Sequence, residues 1–204
     1  EPELNYTPKF YQDGDFVVAL VPIGLETEYT PNYVFTLTSG GVTDQLTLTV
    51  KEREAKAKLY YPASAELISR TRTAATLLAF EQAMKSVVDT NEATRYWEGT
   101  FTAPLNRTIN TGFGRTRVLS ATGTEYVHTG VDYIANIGDQ VMATNAGKVV
   151  YVGEQTVSGK LVVVDHGCGL KSWYMHMSEI TVNVGDVVEK GATLGIVGNT
   201  GFTI

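Results

Sequence analysis

The segment "YVHTGVDYIANIGDQVMATNAGKVVYVG" (126–153) decides how the second half of this 204-residue chain is read. Its apolar residues come in short β-type runs, punctuated by Gly-Asp and Asn-Ala-Gly. Such punctuation between short runs predicts strands joined by tight turns. Working outward, "KLVVVDHG", "KSWYMHMSEI", "VGDVVEKG" and "TLGIVG" repeat the texture. The expectation is an antiparallel sheet or flattened barrel beginning near Trp97. "IGDQV" (137–141) and "VGDVV" (184–188) share Gly-Asp-x-Val, a weak internal echo.

The same segment holds His128 and Asp132. On a straight strand they share a face but lie about 13 Å apart, at roughly 3.3 Å per residue. Zinc donors sit about 2.0–2.2 Å from the ion, so one ion could be shared only if the chain bends. Gly130 lies midway and permits a bend. His128 is therefore expected on a turn and Asp132 on the following strand, with Val131 and Tyr133 turned into the core. A histidine and a carboxylate suit zinc, though a catalytic zinc wants three protein ligands.

All three histidines lie in this half. In "KSWYMHMSEI" strict alternation puts Tyr174, His176 and Ser178 on one face and Trp173, Met175 and Met177 on a core face. His176 is either a base presented on a rigid strand or a half-exposed histidine without a role. His166, in "VVVDHGCG", reads as structural or supporting. Cys168 is the single cysteine, which excludes an internal disulfide and any multi-cysteine metal site. Between two glycines it reads as a structural thiol.

The first half differs. "FVVALVPI" (16–23), "YVFTLTS" (33–39) and "QLTLTVKE" (45–52) predict strands, the last two joined through "TSGG". Leu77, Phe80, Met84, Val87 and Val88 follow helical spacing, which predicts one helix over about 71–90 with a core-facing stripe. The fold class expected is mainly β with one helical segment. It comprises a β-sandwich-like domain (1–60), a helical connector (61–96) and a β-sheet domain (97–204).

Composition narrows the partners. Apolar residues are 43% and charged residues 19%, as in folded soluble proteins. A net charge of −6 without a Lys/Arg cluster argues against nucleic acid. No apolar run reaches the ~20 residues of a membrane span. The first residues lack signal-peptide features, so the chain is expected to be either cytosolic or a mature or shortened form.

"FTAPLNRTINTGFGRTR" (101–117), the segment 126–153 and "LVVVDHGCGLKSWYMHMSEITVNVGDVVEKGATLGIVGNTG" (161–201) together resemble the lysostaphin/LytM-type zinc endopeptidases of bacterial cell walls. The resemblance covers about residues 97–204 and implies an extracytoplasmic enzyme that cuts peptidoglycan peptides. It implies that His128 and Asp132 are zinc ligands and that His176 is a catalytic residue. It implies a structural or groove-lining role for Arg115 and Arg117. The family's third ligand, with a second catalytic histidine, comes from a His-x-His motif after the "GNTG" turn. This chain ends at Ile204 before such a motif. The expectation for these 204 residues is weak zinc binding and little hydrolysis. Two other classes are a non-catalytic LytM-like module that regulates wall hydrolases, and a biotin- or lipoyl-type carrier modified at Lys148.

Overall fold

The structure, a computed structural model, describes residues 9–24, 33–52, 56–90 and 92–204. Parts of the expected sandwich (1–8, 25–32, 53–55) lie outside the described residues. The strands before the helices are β1 (Tyr11–Asp13), β2 (Phe16–Val18), β3 (Tyr33–Ser39), β4 (Val42–Leu48) and β5 (Leu59–Tyr61). Helices α1 (Ala65–Thr71) and α2 (Ala74–Asp89) follow. Then come β6 (Ile109–Thr111), β7 (Thr116–Leu119), β8 (Glu125–Val127), β9 (Asp132–Tyr133) and β10 (Gln140–Met142). The last five are β11 (Gly147–Gln155), β12 (Gly159–Gly167), β13 (Leu170–Ile180), β14 (Val187–Val188) and β15 (Thr193–Val197). The chain is mainly β, as its patterning predicts.

Two compact units divide the contacts, one built on Val21–Ala57 and one on Lys9–Leu20 with Lys58–Ile204. In the first, β3 and β4 pair antiparallel from Tyr33↔Leu48 to Ser39↔Val42. Gly40 and Gly41 both have positive φ (58° and 80°), which a two-residue turn matched to strand twist requires.

In the second unit, a six-stranded antiparallel sheet runs β10-β15-β13-β12-β11-β14. Register shifts interrupt its ladders, among them Lys160/Val162 in β12 against β13, and bulges of this kind curl a sheet. Both faces of β12 are covered, which is why its apolar run is continuous. Val162 and Val164 join Val149, Tyr174, Met177 and Leu194 on one face. Leu161 and Val163 meet Met84 and Val87 of α2 on the other. The two Gly-Asp turns of the internal echo open β10 and β14, the opposite edges of this sheet. Lys148 lies within β11 and pairs with Glu92 at 2.7 Å, rather than standing at a hairpin tip as a carrier lysine must.

The helix expected over about 71–90 is α2, and a second, shorter helix, α1, precedes it. Thr71 bonds its hydroxyl back to Leu67 O (2.6 Å), and Thr73 leaves the helical region to cap α2 by accepting from Thr76 N. Side-chain oxygens of this kind compete with helix continuation and favour a new N-cap. The buried stripe is also narrower than expected. Met84 and Val87 are buried, whereas Leu77 and Val88 are 39% and 59% exposed.

His166 belongs to the core. Its Nδ1 donates to Ala146 O and its Nε2 lies 2.7 Å from Ser172 Oγ, with the Phe101 ring edge-on at 5.0 Å. Burial pushes its imidazole below the ordinary range, and the Ala146 contact and Asp165 recover only part of this. On acidification the unfolded chain therefore takes up the proton first. Stability due to neutral His166 is present above about pH 6.5 and is lost as pH falls towards the folded-state value. The melting temperature should drop between pH 7.5 and pH 5, and His166→Gln should flatten that drop. An unchanged pH profile in the variant contradicts this assignment. His176 acts with the same sign, so flattening is expected to be partial.

Candidate active site

His128 and Asp132 are positioned by two different small sheets. The β7–β8 ladder continues past Val127, with His128 N donating to Arg115 O (2.9 Å) and Gly114 N donating to His128 O (2.7 Å). Asp132 opens β9, which pairs with β6 through Thr111↔Asp132. Between them the chain bends, and the two side chains meet with Nε2 and Oδ1 3.2 Å apart. The bend that a shared ion would need is therefore present. Gly130 makes it without a left-handed φ. Val131 is 44% exposed, not core: the bend breaks the strand alternation that would have buried it.

These donors fit a zinc ion as two of its ligands. Tetrahedral donors at about 2.1 Å from an ion lie roughly 3.4 Å from one another, close to the observed separation. His128 Nδ1 faces Gly112 O at 3.5 Å. With the proton on Nδ1, a bare Nε2 confronts a carboxylate oxygen, an arrangement that a metal cation or a shared proton satisfies. Burial alone would raise the Asp132 carboxyl. The contacts with His128 and Arg117 outweigh it and leave the group at about 2, an ionised donor at neutral pH. Among the described residues no group of three or more His, Cys, Asp or Glu forms a complete metal cluster.

His176 occupies an unusual place on β13. Lys160↔Met177 and Val162↔Tyr174 leave one residue on β12 opposite two, Met175 and His176, on β13. His176 takes φ +63° in this bulge. The extra residue resets the alternation. Tyr174 and Met177 both enter the same core cluster, and Met175, expected inside, is 39% exposed. His176 N donates to Ser158 O (2.9 Å), and Nδ1 donates to Thr200 O (2.7 Å). That contact leaves Nε2 as the basic nitrogen. Burial lowers the imidazole pKa, and Thr200 and Asp132 pull it partly back. The charges of Arg117 and His128 act against that recovery and favour the neutral ring.

Thr200 ties this corner together. Its hydroxyl accepts from Lys160 N (3.0 Å) and donates to Met177 O (2.7 Å). Gly159 (φ +61°) lies against it, where a Cβ would collide with the Thr200 carbonyl.

Arg117, read from sequence as structural or groove-lining, is 4% exposed, and its Nη2 donates to Asp132 Oδ2. Arg115 meets the site through its backbone. Tyr61, Tyr126 and Phe202 form the floor beneath Arg117, and no local pattern in the sequence singles them out. Cys168 is buried and its thiol is raised by that burial, which fits an inert structural role.

Comparison with known proteins identifies the family of the second half of the chain. The model of peptidase family M23 matches residues 126–203. The peptidoglycan DD-endopeptidase ShyB of Vibrio cholerae is 34% identical over 95 residues, 47% of this chain and 22% of that protein. Lysostaphin of Staphylococcus simulans is 37% identical over 79 residues, 38% of this chain and 16% of that protein. The chain thus spans only 16–22% of the length of these curated relatives. The crystal structure of an M23 peptidase candidate from Pseudomonas aeruginosa shares the fold, with a TM-score of 0.69 over 97% of this chain and 74% of that one, at 21% identity. Residues 126–203, which carry the His128–Asp132 pair and the bulged His176 strand, are a peptidase family M23 domain.

Proposed function

We propose that this domain is a zinc-dependent endopeptidase that hydrolyses peptide bonds in bacterial peptidoglycan, outside the cytoplasm. The observation that carries the reading is the 3.2 Å approach of His128 Nε2 and Asp132 Oδ1. The name peptidoglycan DD-endopeptidase carried by ShyB, together with the resemblance to the lysostaphin/LytM type, supports the substrate class. His128 and Asp132 would hold the ion, which when bound supplies Lewis acidity to a peptide carbonyl and to water.

The protein's own residues do the rest. His176, neutral at pH 7 with its proton on Nδ1, offers Nε2 to accept a proton from the attacking water and return it to the leaving amine. Its backbone and ring contacts to Ser158 and Thr200 hold that nitrogen fixed, which matters because a displaced base loses most of its effect. Arg117 keeps the Asp132 carboxylate ionised and oriented.

The test is incubation of the protein with purified peptidoglycan, with zinc and after chelation, reading released peptides by mass spectrometry. For these 204 residues, which supply two of the three protein ligands a catalytic zinc takes, slow appearance of new amino termini that needs zinc in excess is the expected result. His176→Ala should lower the rate about 10²–10⁴-fold while leaving zinc affinity within about two-fold. A variant that cuts at the wild-type rate removes His176 from the mechanism. Wild-type protein that releases no peptide with zinc present removes the enzymatic reading.

A further inference from the structure

Arg117 uses its guanidinium in three directions. Nη2 donates to Asp132 Oδ2, leaving Oδ1 directed at His128. Nη1 reaches the Tyr126 hydroxyl at 3.4 Å. The group lies over the Tyr61 ring, 4.6 Å from its centre. Nε is buried without a hydrogen-bond partner. Burying a guanidinium with one donor orphaned costs stability that an apolar residue of similar size would not. The arrangement therefore calls for a reason other than packing.

Tyr61 comes from far outside the matched residues 126–203. It ends β5, which runs parallel to β7 with Leu59↔Arg117 and Tyr61↔Leu119 in register. Its ring also meets Phe202 (5.6 Å), two residues after the Thr200 that fixes His176. Arg72, at the end of α1, lies over Tyr126 at 4.0 Å and Phe202 at 5.0 Å. The segment before the matched region thus touches the supports of both Asp132 and His176.

We infer that Arg117 is a positioning residue for Asp132, clamped from below by Tyr61, so that β5 and α1 are part of the site rather than a connector to it. A carboxylate turns easily about its last torsion. A donor fixed on Oδ2 stops that rotation and keeps Oδ1 aimed at the position shared with His128. The consequence for metal binding rests on the reading of Asp132 as a ligand, whereas the orientation of Asp132 does not.

The test uses Arg117→Met, Arg117→Lys and Tyr61→Leu, with Lys58→Ala as control. The control removes the exposed Lys58–Glu125 pair beside the same strand. Metal-free crystal structures report the Asp132 rotamer, and calorimetry with Zn2+ alone reports affinity. In Arg117→Met, Asp132 should swing away from His128 and Zn2+ binding should weaken about 10–100-fold. Tyr61→Leu should shift both readouts in the same direction by less, and Lys58→Ala should shift neither. A merely structural Arg117 would lower the melting temperature without moving Asp132. A folded Arg117→Met with Asp132 in place and native affinity overturns the inference. If that variant does not fold, Arg117→Lys decides, because it keeps the charge but loses the planar fork. Native Asp132 geometry and affinity in that variant overturn the inference equally. If the wild type binds no Zn2+, the metal reading fails and the Asp132 rotamer alone decides for Arg117.

Discussion

Asp132→Asn is expected to abolish zinc-dependent hydrolysis, by at least about 10³-fold, while leaving the protein folded. The carboxylate does two things at once. One oxygen faces His128 Nε2 at 3.2 Å, and the other accepts from Arg117. An amide oxygen can still take the Arg117 hydrogen bond, so the buried guanidinium keeps a partner. The amide cannot supply the negative charge a zinc site needs from this position. Asp132→Ala removes both roles. It should lose activity equally and in addition destabilise the metal-free protein by roughly 1–3 kcal/mol. That figure stays below the loss for a fully buried pair because the Asp132 side chain is 35% exposed. The measurements are peptide release from peptidoglycan, Zn2+ calorimetry and urea unfolding of both variants. Wild-type hydrolysis by Asp132→Asn would remove Asp132 from the site. Equal stabilities of the two variants would show that Arg117 does not depend on its partner.

The second large effect is on stability. Gly159→Ala should cost about 2–5 kcal/mol, the sum of a left-handed backbone penalty of ~1–2 kcal/mol and an overpacking cost of ~1–3 kcal/mol. The new Cβ would meet backbone atoms of Thr200, which cannot swing aside as a side chain would. Gly99→Ala is the control. Its φ is +56°, close to the +61° of Gly159, and a Cβ there meets nothing within 4 Å, so it carries the backbone cost alone. The difference between the two unfolding free energies isolates the collision. Because Thr200 O holds His176 Nδ1, the folded fraction of Gly159→Ala should also be slower per molecule. Equal losses in both glycine variants would show that the Thr200 turn yields freely.

Much of this was legible in the sequence, and the failures share a cause. Spacing showed that His128 and Asp132 could share an ion only if the chain bends between them, and it does bend. The β3 strand and its glycine turn follow directly from alternation and composition. What alternation could not foresee is one inserted residue at Met175–His176. A single bulge reverses the facing of everything after it, which put Met175 outside and brought Tyr174 and Met177 into one core cluster. The short helix α1 was missed because it is set off from α2 by the side-chain cap at Thr73, which periodicity does not register. Val131 was misplaced because a bend has no alternation to extrapolate. Arg117 and Asp132 were each visible as residues of interest, but their pairing was not, since pairing across sheets leaves no local mark. Tyr61 and Phe202 were beyond sequence reasoning for the same reason: their value lies in meeting each other.

The parallel pairing of β5 with β7 also bears on how the chain reaches its folded state. Antiparallel neighbours such as β11 and β12 can zip from a short turn. A parallel pair cannot, and here both helices and β6 intervene before β7 arrives. Loop-closure entropy is spent before such a contact returns anything. The Tyr61–Phe202 contact is more remote still, joining segments near opposite ends of the second unit. The six-stranded sheet, with its local hairpins, is thus the natural early structure. The clamp around Arg117 closes late, so a chain can be largely folded before its Asp132 carboxylate is oriented.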